Sequence, residues 1–131
     1  MATLTIEGDL QQDAALAISS GNVVIAGNWN YGAAVTGSEV HMEIAGNITR
    51  TKTGVITLDD ASTMQLTGNA KQTVSYATMG NLLIENPEGV SITGDMKVTD
   101  TLETNGYPVS GRLTFTGTNI CLLYTSPSPR D

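Results

Sequence analysis

The chain has one cysteine, Cys121, and a lone thiol cannot close an internal disulfide, so no covalent framework organises its 131 residues. It has one histidine, His41, so a histidine-rich metal cage is excluded and any Ser-His-Asp triad would have to be built around that residue. Its place in a strand pattern reads instead as solvent-facing. Six basic residues stand against thirteen acidic ones, a net charge of −7, with no basic cluster to neutralise phosphates, which argues against a nucleic-acid surface. No apolar run is long enough to insert in a bilayer, and Met1 leads into a strand pattern without a charged or apolar leader. The expectation is an extracellular or cell-surface chain given as a fragment, with a cytoplasmic chain as the alternative. Aromatics are few: one Trp, one Phe and four Tyr. Thr, Gly, Ile, Val and Asn dominate, which suits narrow layered interiors of β-branched residues.

What the chain does have is a repeat. LTIEGDL from Leu4 returns as VVIAGNW from Val23, MEIAGNI from Met42, MQLTGNA from Met64, VSITGDM from Val90 and LTFTGTN from Leu113. The shared glycines are Gly8, Gly27, Gly46, Gly68, Gly94 and Gly117, giving steps of 19, 19, 22, 26 and 23 residues. One β-pattern per unit at a period near twenty marks a stacked solenoid. The expected fold is all-β: a single-stranded parallel β-helix of five to six coils, each 19–26 residues, right-handed by default. It should occupy residues 1–120, with 121–131 a separate tail.

Strand side chains alternate faces, so parity assigns the interior. Leu4, Ile6 and Leu10 share a parity with Gly8, and Ile25, Ile44, Leu66 and Ile92 form one inward column, two residues before the glycine. Parity also places Trp29 inside, against the alternative of a sugar-stacking platform with Tyr31. TRTKTG, from Thr49 to Gly54, reads as an exposed connection. The pair Asp59-Asp60 reads as turn chemistry, because a calcium loop needs more oxygens at set spacing.

Aligned on the glycine, the following column holds Asp9, Asn28, Asn47, Asn69, Asp95 and Thr118. No column puts carboxylates on neighbouring coils, as a retaining glycosidase pair would need. Three stacked asparagines instead suggest a ladder, each amide donating to the next coil and accepting from the previous one. The expected structural turn and ladder residues are therefore Gly8, Gly27, Asn28, Gly46, Asn47, Gly68, Asn69, Gly94 and Asp95. No catalytic, metal or cofactor-binding residue is expected.

Residues 66–106 resemble the β-solenoid repeats of large secreted bacterial surface proteins of the adhesin type. Their units read as a G-x-x-KQTVS strand, an aromatic, an NLxI strand and GVxxxGDxxVxxTLxxNG. Gln72, Thr73, Val74, Ser75 and Tyr76 match the first part, and Leu82, Ile84, Asn86, Gly89, Val90, Gly94, Asp95, Val98, Leu102, Asn105 and Gly106 the rest. Met79 and Thr104 depart from it. The resemblance implies a non-catalytic stalk or adhesive segment, with partners among neighbouring coils, end-to-end copies, or a carbohydrate or host-surface ligand. GNVVIAGN and VHMEIAGNIT also suit the bactofilins, cytoplasmic β-helices that polymerise without nucleotide, although the uneven glycine steps speak against them. A β-helix polysaccharide lyase or hydrolase is the third and weakest reading. Residues 121–131, CLLYTSPSPRD, resemble a translated sequencing adaptor and are set aside from the fold.

Overall fold

The computed structural model describes residues 2–121. They form thirteen strands and no helix: β1 (Ala2–Ile6), β2 (Leu10–Gln12), β3 (Leu16–Ile25), β4 (Trp29–Tyr31), β5 (Val35–Ile44), β6 (Ile48–Arg50), β7 (Ile56–Leu58), β8 (Thr63–Leu66), β9 (Gln72–Val74), β10 (Ala77–Ile84), β11 (Val90–Glu103), β12 (Val109–Phe115) and β13 (Asn119–Cys121). Every pairing is parallel and joins one coil to the next. The chain is a β-solenoid of about six turns. Residues 122–131, most of the expected tail, lie outside the described residues, whereas Cys121 ends a strand paired to Glu103.

The pairings resolve into three stacks. Stack I runs Leu10, Trp29, Ile48, Val74, Ile92, Gly111. Stack II runs Leu16, Val35, Ile56, Ala77, Met96, Leu113. Stack III runs Leu4, Val23, Met42, Met64, Leu82, Leu102, Ile120. Strands β3, β5, β10 and β11 bend through a corner and serve two stacks each, which is why they are long.

Alternation decides what is buried. In β5 the inward Val40, Met42 and Ile44 are buried, while His41 and Glu43 between them are partly exposed. Each inward aliphatic residue contributes about 1.5–3 kcal/mol by leaving water. Trp29, 1% exposed, lies inside beside the fully buried Tyr31, their rings 5.9 Å apart and tilted. Neither ring is available as a sugar platform. The Trp29 indole N–H donates to Gln12 Oε1 at 3.1 Å, and the Tyr31 hydroxyl reaches the carbonyls of Ser75 and Tyr76.

The register corrects the coil count drawn from glycines. Ile25, Ile44 and Leu66 do form one buried column, but its next member is Ile84, paired with Leu66. Ile92 belongs to stack I, against Val74. The physical reason is a change of corner between the third and fourth coils. In coils one to three, stack III turns into stack I within four residues, from Ile6 to Leu10, Ile25 to Trp29 and Ile44 to Ile48. From coil four that corner takes eight, from Leu66 to Val74 and Ile84 to Ile92. The turn from stack I into stack II shortens in compensation, from six residues between Trp29 and Val35 to three between Val74 and Ala77. Coil length is nearly conserved. Beyond the junction, stack III steps are 18, 20 and 18 residues rather than 26 and 23.

Candidate functional site

The corner between stacks III and I is where the sequence places most of its conspicuous residues. Gly8, Gly27 and Gly46 lie one above another there, with Gly27 N–H donating to Gly8 O at 3.0 Å. A Cβ on Gly27 or Gly46 would collide with the backbone of the preceding glycine, so only glycine lets the coils close to strand spacing at this edge. Gly68 joins the same corner, its missing Cβ facing Ala45 O. Gly94 does not. It lies at the corner between stacks I and II, under the Tyr76 ring that a side chain would strike.

Three side-chain oxygens climb this corner. Asp9 Oδ1 accepts from Asn28 N–H at 2.7 Å, Asn28 Oδ1 from Asn47 N–H at 2.8 Å, and Asn47 Oδ1 from Thr73 N–H at 2.9 Å. The ladder runs from side-chain oxygen to backbone amide, rather than from side-chain amide to side-chain amide. Asn69, expected as the next rung, is exposed, because the enlarged corner carries it away and brings Thr73 to its place. Asp95 is remote from the ladder and pairs with Arg112 at 3.2 Å on the surface.

Sequence reasoning missed the group that fills the enlarged corner. Gln72 and Asn86 are buried polar residues with every polar atom of the amides in use or close to it. Gln72 Oε1 accepts from Gly68 N–H at 2.9 Å and from Asn86 Nδ2 at 3.0 Å, while Gln72 Nε2 donates to Ile44 O at 2.9 Å and Gly46 O at 2.7 Å. Asn86 Nδ2 also donates to Ala70 O at 2.7 Å. The even parity of Gln72 with Val74 carried the signal. A glutamine on the inward face of a strand must be satisfied internally.

Other polar residues work as corner fasteners too. Asp59 Oδ1 accepts from Ser62 Oγ at 2.7 Å and from Glu39 N–H at 3.1 Å, and Oδ2 from Ser38 Oγ at 3.0 Å. These bonds, the Ser62 hydroxyl foremost and then the Glu39 amide, hold the Asp59 carboxyl below its ordinary 3.8. Asp60 takes Thr99 Oγ1 at 2.6 Å. Burial raises the Tyr31 phenol above its ordinary 10.0, opposed by the hydrogen bond at Ser75 and the charge of Arg50. Arg50 itself lies over the Tyr76 ring, 4.2 Å from its centre.

On the outer face of stack III, His41 Nε2 lies 3.0 Å from Gln65 Oε1, and Gln65 Nε2 donates to Glu85 Oε1 at 2.7 Å. This is a surface string of neighbours from three coils. Among the described residues no group of three His, Cys, Asp or Glu side chains is placed to hold a metal ion. The apolar space of the molecule is at the first coil, where Leu4, Leu10, Leu16, Ile18 and Trp29 line a cavity of about 200 Å³. Leu4 there is 53% exposed, as is Ile120 at the other end. Comparison with known proteins finds no matching family model, no similar curated protein and no similar solved structure. What can be said of role therefore comes from the coils themselves.

Proposed function

We propose that this chain is a structural or adhesive segment of a secreted or cell-surface bacterial protein, a spacer rod without catalytic chemistry of its own. The observation that supports the reading is how its polar side chains are used. Asp9, Asn28, Asn47, Gln72, Asn86 and Asn105 each bond a neighbouring coil or corner rather than converging on one cleft. Coils fastened by side chains as well as backbone suit a rod that must hold its length. The partners this reading implies are further coils stacked on the open ends, or a carbohydrate or host-surface ligand. An antibody against residues 2–121 should label intact cells of the source organism and lose its target on brief protease shaving. Antigen confined to the cytoplasmic fraction would overturn the surface reading.

One observation favours a second reading, a cytoplasmic polymerising scaffold of the bactofilin kind. The uneven glycine steps that spoke against it are not the coil lengths. The first three coils repeat at nineteen residues without a register shift, from Leu4 to Val23 to Met42. Filaments in the cytoplasmic fraction of the same experiment would support it.

A further inference from the structure

We infer that Asn105 is a site of spontaneous intramolecular deamidation, a chemical modification that unfastens the corner of the fifth coil. Among the asparagines of the chain, Asn105 alone is followed by glycine. Attack on an asparagine side chain comes from the next residue's backbone nitrogen, and a side chain on that residue would crowd the approach. Here Asn105 and Gly106 have φ of 55° and 78°, and Tyr107 N–H donates to Thr104 O at 3.0 Å, the signature of a type I′ turn. The turn is at the surface: Gly106 is exposed, and its N–H donates to no acceptor among the described residues. The ladder asparagines differ. Trp29 N–H, which follows Asn28, is held by Asn47 O at 2.8 Å, and Asn86 is followed by Pro87, which has no N–H.

The chemistry balances with water alone. Gly106 N gives its proton to solvent base and its electron pair bonds to Asn105 Cγ. The Cγ–Nδ2 bond breaks, and ammonia leaves with a proton from solvent. Water then opens the five-membered imide at either carbonyl, giving aspartate or isoaspartate. The structural consequence follows from one bond. Asn105 Nδ2 donates to Ile84 O at 2.8 Å and ties the turn to the coil before it. A carboxylate there has no hydrogen to donate and sets oxygen against oxygen, and the isoaspartyl form also lengthens the main chain of the turn.

The inference stands apart from either reading of function, since it concerns the purified folded chain. Full-length protein held at mildly alkaline pH is digested and each asparagine peptide weighed, beside the same protein in urea. Asn105 should convert at least about tenfold faster than Asn28 or Asn47 in the folded protein, a difference in barrier of about 1.4 kcal/mol. Isoaspartate should be part of the product, and the melting temperature should fall as it accumulates. Asn105→Asp should lower the melting temperature in fresh protein as well. Intact Asn105 in folded protein, when the chain in urea has converted, would overturn the inference by showing that the turn protects it. Equal rates at all asparagines would overturn it too.

Discussion

Coils one to three and coils four to six use the same three stacks but close their corners differently. In the first half the edge from stack III to stack I is a tight glycine turn fastened by the Asp9, Asn28 and Asn47 oxygens. In the second half the same edge is a wide loop, and its inside is occupied by the Gln72 and Asn86 amides. A tight corner presents few backbone groups to satisfy and needs one oxygen per coil. A wide corner turns backbone N–H and C=O groups inward, and buried groups of that kind require partners. Gln72 meets the need by reaching back to Ile44 and Gly46 of the last tight corner, so the residue that permits the second half is anchored on the first.

The comparison can be broken at its shared core first. Ile44→Asp places a charge in the column of Ile25, Leu66 and Ile84 and should cost several kcal/mol, enough to lower the denaturation midpoint of the whole chain. Glu43→Ala beside it should change stability by no more than about 0.5 kcal/mol. Gln72→Ala comes next. It leaves Gly68 N–H, Ile44 O and Gly46 O without their partner and should cost about 3 kcal/mol, at the upper end for one buried polar group. Amide exchange should then quicken in coils four to six more than in coils one to three. Asn47→Ala removes one rung, that to Thr73 N–H, and should cost about 1 kcal/mol.

Two pH effects are smaller and act on opposite sides of neutrality. Asp59 has its folded pKa lowered from 3.8, so its contribution is present above the ordinary carboxylate value and disappears as the pH falls through the lowered one. Asp59→Asn should flatten the acid limb of a stability-against-pH curve. Tyr31 has its folded pKa raised from 10.0, so its contribution is present below that value and is lost as the pH rises toward the raised one. Tyr31→Phe should remove part of the alkaline limb. Thermal melts across pH on the two variants would check both signs.

The sequence made the class of fold legible because inward aliphatics alternate with polar residues in nearly every strand. Trp29 inside, Val40, Met42 and Ile44 on one face, and Asp59 as a turn residue all follow from local pattern. What local pattern could not carry was the phase of the later coils. Gly-Asn and Gly-Asp are marks of a corner, and a triangular coil has three of them. Gly8, Gly27, Gly46 and Gly68 mark the edge from stack III to stack I, whereas Gly94 marks the next edge and Gly117 lies against Asp100 at the third. Counting along one motif therefore gave steps of 26 and 23 residues where the paired strands advance by about eighteen to twenty. Gln72 was visible as part of a motif, but its role depends on Asn86, fourteen residues away, and on backbone from the coil below.

The junction between the halves can be tested by cross-linking on the outer face of stack III, in a background where Cys121 is replaced by Ser. Gln65 pairs with Leu83 in the register described, whereas phasing on the glycines would set Gln65 beside Ser91. Parallel neighbours at strand spacing, about 4.8 Å, fall within the reach of a disulfide. Oxidation of the Gln65→Cys, Leu83→Cys protein should give an internal disulfide, and the Gln65→Cys, Ser91→Cys protein should keep two free thiols. A disulfide in the second protein and none in the first would contradict the change of corner on which the two-part solenoid rests.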